Sequence, residues 1–125
     1  MANSKKKSSP KTFLAIFIGT QAMLKKWEKL PVKTQRERET AGMQAWGAWV
    51  NKYKKVIVYM GAPLGGTKRI NRKGVANTSN NMAAFTVVQA SSHATAAKIF
   101  KNHPHFMIFP GDSVEIMPCL KIPGM

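Results

Sequence analysis

His103 and His105 flank Pro104 near the end of the chain, and Asp112 follows in the same loop region. A neutral imidazole is the side chain best matched to moving a proton near neutral pH. In an extended segment, residues two apart point the same way, so both rings are expected to face one cleft, with Asp112 close enough to orient one of them. Such a set would perform acid–base chemistry, and no redox cofactor is expected beside it. The same residues also fit a structural role, as solvated loop histidines or caps of the preceding helix, where His103 as a cation would meet the negative helix end. No metal site is expected, because two histidines and one aspartate lack a fourth ligand and a helical His-x-x-x-His spacing. His93 falls in the first turn of a helix and is expected to be exposed.

Aromatic residues offer a second kind of chemistry. Trp46 and Trp49 are three apart on one helical face, and with Tyr59 they are the expected lining of an apolar ligand pocket. An amphipathic helix must bury such a stripe in any case, so a core role for the two tryptophans is the commoner reading. Other stretches carry no site. Gly61-Ala-Pro-Leu-Gly-Gly66-Thr67-Lys68 has Thr before Lys and opens no helix, so it is not a phosphate loop, and its glycines are assigned to a turn. Cys119 lacks the helix N-terminus or neighbouring base that a reactive thiolate needs. No serine sits in a Gly-x-Ser-x-Gly elbow.

The elements that must hold these residues are written in the hydrophobic pattern. At 125 residues and 44% apolar content the chain is one domain, expected over residues 12–125 behind a flexible basic tail at 1–11. One cysteine excludes a disulfide framework, and the longest apolar run, Phe13 to Ile18, is far short of the roughly 20 residues a membrane span needs. A cytoplasmic protein is expected. Thr12 to Ile18 reads as a strand apolar on both faces. Gln21 to Leu30 reads as a short helix closed by Pro31. A longer helix is expected from a capping box at Thr34-Gln-Arg-Glu37, with Met43, Trp46, Val50 and Tyr53 as its buried stripe. Val56 to Met60 and Ala83 to Ala90 read as strands, with a weak extra strand at Lys68 to Ile70. Ser91 or Ser92 caps a helix from Ala94 to Lys101 with Ala96, Ala97 and Phe100 inward. Ser113 to Met117 is a last strand, limited by Pro118 to a sheet edge.

The order β-α-β-β-α-β implies an α+β, ferredoxin-like fold: a four-stranded antiparallel sheet with two helices on one face. The other face then carries apolar residues into water, and a second copy, sheet against sheet, is the simplest cover. A homodimer is the expected assembly.

Met43-Gln-Ala-Trp46-Gly-Ala-Trp49 followed by Met60-Gly-Ala-Pro63-Leu64 resembles the helix-to-strand segment of the YCII-related family. Ala83-Ala-Phe-Thr-Val-Val-Gln-Ala-Ser91-Ser92, Ala96-Ala97, His103-Pro104-His105 and Gly111-Asp-Ser-Val-Glu115-Ile resemble the rest of that domain. The resemblance runs from about Thr12 to Pro118. It implies a dimeric α/β barrel built from ferredoxin-like halves, with acid–base chemistry by a histidine and an aspartate in some members. The chain departs from the family where many members carry Asp-Gly-Pro-Phe before the third strand; here the stretch is Asn77-Thr-Ser-Asn-Asn-Met82. No acid lies between Glu39 and Asp112, so a His–Asp pair uses Asp112 or does not exist.

Charge adds a competing function. Twenty Lys and Arg against five Asp and Glu give +15. The cations cluster at Lys5 to Lys7; at Lys25, Lys26, Lys29 and Lys33; at Lys52, Lys54 and Lys55; and at Lys68, Arg69, Arg72 and Lys73. A protein this basic attracts polyanions. Three functions are therefore carried forward: a YCII-like cleft binding a small anionic metabolite with histidine chemistry, a non-catalytic basic module binding nucleic acid or another polyanion, and a structural or ligand-sensing dimer. No membrane partner is expected.

Overall fold

The computed structural model describes residues 10–125. The expected tail therefore lies outside the described residues except for its end, and Lys11 is already the first residue of a strand. In chain order the elements are β1 (Lys11–Ile18), α1 (Gln21–Glu28), α2 (Val32–Tyr53), β2 (Ile57–Pro63), β3 (Thr67–Asn71), β4 (Gly74–Thr78), β5 (Met82–Ala90), α3 (His93–Ile99), α4 (Pro104–Met107) and β6 (Ser113–Pro118). One sheet has the order β2-β5-β1-β6, antiparallel throughout. With the separate β3–β4 hairpin set aside, this is the expected ferredoxin-like α+β topology.

Register explains the two faces. Phe13 pairs with Val88, Ala15 with Thr86 and Ile116, and Phe17 with Ala84 and Val114. Partners in a ladder share a face, and these residues meet Trp49 of α2 and Ala96 and Ile99 of α3 in one core. The alternate residues Leu14, Ile16, Ile18, Phe85 and Val87 point to the side without helices. β1 is apolar on both faces because it is central between β5 and β6.

Helix details differ from expectation in three places. α2 begins at Val32, with Pro31 rather than Thr34 at its N-cap and no side-chain cap. Proline holds a helix-compatible φ, its carbonyl accepts from Gln35 N–H at 3.0 Å, and Thr34 is left inside the first turn. The Gln35 amide instead donates to the carbonyls of Trp27 and Leu30, tying α2 to the end of α1. Met43 is 66% exposed, whereas Trp49 is buried and its indole N–H donates to the Ile99 carbonyl at 2.8 Å. In α3, Ile99 rather than Ala97 points inward. The Ser92 cap is as expected, its hydroxyl accepting from Thr95 N–H.

β2 runs past its expected end. Gly61 is not in a terminal turn. It has φ +75° inside the strand, and a side chain there would strike the Phe85 carbonyl. The pairing of β2 with β5 is irregular between Tyr59 and Ala62, which is the mark of a bulge carried by a left-handed glycine. The Thr86 hydroxyl donates to the Met60 carbonyl at 2.9 Å and pins the irregular stretch. Among the described residues, no helix is long and apolar enough to cross a membrane.

Candidate functional site

His103 enters the site through a sharp turn. Asn102 adopts a left-handed φ of 57° after α3, a conformation asparagine tolerates. Pro104 then stands at the start of α4, where its missing N–H costs nothing. His103 is the N-cap: its Nδ1 accepts from His105 N–H at 3.0 Å. The segment is therefore one helical turn, not the extended stretch expected from sequence, and neither histidine is solvated.

His103 is 0% exposed. Its ring lies 4.4 Å from Trp46 and 4.6 Å from Trp49 in edge contacts, with Phe17 at 5.1 Å and Phe100 at 5.9 Å between ring centroids. Nε2 has no hydrogen-bond partner in this cage. Burial, and then the neighbouring His105, lower its pKa from 6.5 to about 3. The imidazole is neutral near pH 7, so the expected favourable meeting of a cation with a helix end does not occur.

His105 is differently placed. Its Nε2 lies 2.8 Å from the Ile18 carbonyl. A carbonyl only accepts, so Nε2 carries the proton and the neutral ring keeps its lone pair on Nδ1. Burial lowers its pKa, opposed by the carbonyls of Ile18 and Ser113 and by the charge of Asp112. Ile18 also accepts from Asp112 N–H at 2.9 Å, so the last carbonyl of β1 fixes both the ring and the loop that follows it. Gly111 packs flat against the ring, and a side chain at that position would overlap it.

A cavity of about 490 Å³ opens between α2, the bulged end of β2, and β5. Its walls include Phe17, Trp46, Met60 and Phe109, with Met43 beside them, and among the described residues His105 is the only titratable side chain that lines it. The exposure of Met43 follows from this place in the wall. Pro63 and the Gly61 bulge line the same space, so the strand irregularity and the cavity are one feature.

The structure thus brings His105 and Trp46 together in one cavity wall. His103 stands behind them, sealed by Trp46 and Trp49. Trp49 is turned into the core and does not line the cavity. Nor does Tyr59: it pairs beside Val87 on the opposite sheet face, is 58% exposed, and meets Phe85 in a tilted contact with ring centroids 5.8 Å apart. Asp112 is exposed, makes no side-chain hydrogen bond to His105, and borders a separate groove of about 430 Å³ with Lys101 and Phe106. It reaches His105 only through space. His93 is exposed, yet its Nε2 lies 2.7 Å from the Ile116 carbonyl and its ring stacks on Phe13, binding α3 to β6. Phe109, Gly111 and Gly61 were not among the expected site residues. The signal for Gly111 was its place beside Asp112; Phe109 follows α4 and has no helical or strand period to mark it. Among the described residues, no group of three His, Cys, Asp or Glu is placed to hold a metal ion.

No family model matches the chain, and no curated protein matches it. A solved structure is similar in fold. It is the 5-chloro-2-hydroxyhydroquinone dehydrochlorinase (TftG) from Burkholderia phenoliruptrix AC1100, in complex with 2,5-dihydroxybenzoquinone. The TM-score is 0.50 at 16% sequence identity, over 85% of this chain and 90% of that one. This likeness bears on the fold, and it agrees with the architecture that the YCII-related resemblance implies.

Proposed function

We propose that this chain is a YCII-like, ligand-binding domain whose cavity takes a small planar molecule with a hydroxyl or enol group, and that His105 is its polar contact and proton acceptor. The observation that carries this is the cavity itself: aromatic and methionine walls around one buried, neutral imidazole whose Nε2–H is already committed. Its volume is within the roughly 300–1,000 Å³ of ordinary small-molecule sites. The base is neutral near pH 7 and pre-oriented, as proton abstraction requires. The structural neighbour was solved with a hydroxylated quinone ring, which has the shape and polarity this space favours.

The expectation of an anionic metabolite is narrowed by the same wall. Among the described residues no lysine or arginine lines the cavity, and a buried carboxylate without a partner is costly. A neutral hydroxyl that donates a hydrogen bond to Nδ1 of His105 suits the site better than a preformed anion.

Titration of the intrinsic tryptophan fluorescence, to which Trp46 in the cavity wall contributes alongside Trp27 and Trp49, with hydroquinone and, separately, with benzoate tests this. Hydroquinone is expected to quench and saturate, and His105→Ala is expected to weaken that binding about tenfold, the cost of one lost buried hydrogen bond. Tighter binding of benzoate, or an unchanged affinity in His105→Ala, would overturn the proposal.

The assembly proposed is a homodimer through the open sheet face. Leu14, Ile18, Phe85 and Val87 are half-buried there and Met117 is exposed, while the one carboxylate, Glu115 opposite Ile16, sits on the edge strand where it stays at the rim. Light scattering is expected to give twice the 13.8 kDa chain mass. Val87→Lys is expected to give monomers, since a lysine buried across a two-fold axis meets its own copy. A monomeric parent protein would refute the dimer and leave the cavity proposal standing.

A further inference from the structure

The β3–β4 hairpin belongs to neither the sheet nor the core. It pairs only with itself, Thr67↔Thr78 through Asn71↔Gly74, and every residue from Lys68 to Asn81 is exposed. A free two-stranded hairpin is marginal in water. This one is held by polar ties: Lys68 Nζ donates to Asn77 Oδ1 at 2.8 Å, Lys73 N–H to Asn71 Oδ1 at 2.9 Å, and Asn80 Nδ2 to Thr67 Oγ1 at 3.0 Å at its base. These bonds hold a shape that nothing inside the molecule uses.

We infer that this hairpin is a contact for duplex DNA, laid as a two-stranded ribbon in the major groove. Four cations, Lys68, Arg69, Arg72 and Lys73, crowd its first strand and turn, and the chain has no acid from residue 40 to residue 111 to offset them. A polyanion is the partner that matches that charge. A second copy of a +15 chain does not. Five-residue strands span about 17 Å, and the major groove of B-form DNA admits a two-stranded β-ribbon. The cross-strand pair Ile70↔Val75 lies one step from the turn, where the ribbon's tip would enter the groove, and is 76% and 63% exposed. Exposed β-branched side chains between cations are poorly explained by solvation, but they suit contact with thymine methyl groups on the groove floor. The hairpin carries no aromatic residue, so it offers no stacking platform for single strands. The deep, narrow major groove of A-form RNA excludes a ribbon of this width. The inference is independent of the cavity around His105.

The test uses the full chain and a labelled DNA duplex of about two helical turns, with anisotropy read between about 50 and 200 mM salt. Two variants remove the same charge from exposed positions: Arg69→Ala/Arg72→Ala/Lys73→Ala in the hairpin, and Lys25→Ala/Lys26→Ala/Lys29→Ala on α1 and its C-cap. The hairpin variant is expected to bind at least about tenfold more weakly and to lose about 2–3 from the salt slope, one phosphate contact per cation. The α1 variant is expected to lose less than about threefold. Circular dichroism of both variants should match the parent, because none of the altered side chains is buried. Absence of binding at low salt overturns the inference. So do equal losses in the two variants, which would mean diffuse attraction, and equal affinity for duplex RNA. A hairpin variant that keeps its DNA affinity but changes the solution mass would make the hairpin a contact between copies, and that also overturns it.

Discussion

Acidification from about pH 6.5 to pH 3 is expected to remove roughly 4–5 kcal/mol of folding stability through His103 alone. In the unfolded chain this imidazole takes a proton below its ordinary value of 6.5; in the fold it does so only below about 3. Between those values the unfolded state holds the extra proton, so stability rises with pH by about 1.4 kcal/mol per unit and levels off above 6.5. Geometry explains the resistance. Nδ1 already accepts from His105 N–H, so a second proton would break the cap of α4. The resulting cation would sit unpaired among Phe17, Trp46, Trp49 and Phe100. Against a total domain stability of about 5–15 kcal/mol, this is a large share, and burial of His105 adds to it in the same direction.

Urea unfolding across that pH range measures the slope. His103→Asn keeps a side-chain acceptor for His105 N–H, since asparagine is a good N-cap, and removes the titration. It is expected to be about 2–3 kcal/mol less stable at neutral pH because the aromatic cage loses its centre, yet to show less than about half the parent slope. A variant with the full parent slope would show that another group carries the acid sensitivity.

Much of the fold was legible because the strands announce themselves. Thr12–Ile18 and Ala83–Ala90 are apolar runs of strand length bounded by polar or glycine residues, and their order with two helices leaves few topologies. The structure adds only a residue or so at their ends. The site was less legible, for local reasons. A helical period places Trp46 and Trp49 within about 60° of each other but not on known sides of the sheet-facing line, so their division between cavity and core waited on the fold. Strand geometry is one reading of the His-Pro-His segment, but a side chain able to cap, followed by proline, is also the start of a helix. Sequence alone places Gly61 in a turn, because glycine both ends strands and bulges them, and the choice depends on a neighbour, Phe85, distant in sequence. β4 was missed since Gly74–Thr78 contains one large apolar residue, Val75, and a ribbon held by its own backbone and asparagines has no amphipathic pattern to read.

Gly111→Ala is expected to cost about 3 kcal/mol and to empty the cavity of hydroquinone binding. Gly111 has an ordinary backbone conformation, so the requirement for glycine here is one of space. An added methyl would overlap Cε1 and Nε2 of His105 together with its carbonyl oxygen. Neither partner yields easily. The ring is tied to the Ile18 carbonyl at 2.8 Å and packed edge-on to Phe17 at 5.2 Å. The His105 carbonyl accepts from Gly111 N–H itself at 2.9 Å. Ordinary overpacking costs about 1–3 kcal/mol, and a backbone oxygen among the overlapped atoms puts this case at the upper end. Relief has two routes. The ring can swing into the cavity and fill it, or the loop can retreat and break the Asp112 N–H bond to Ile18. Both take His105 away from the position that a ligand hydroxyl would meet. Chemical denaturation and hydroquinone titration on the same variant separate the two consequences. A drop in stability with binding intact would mean that Gly111 supports the loop but does not set the ring, and that His105 is held by the Ile18 carbonyl alone.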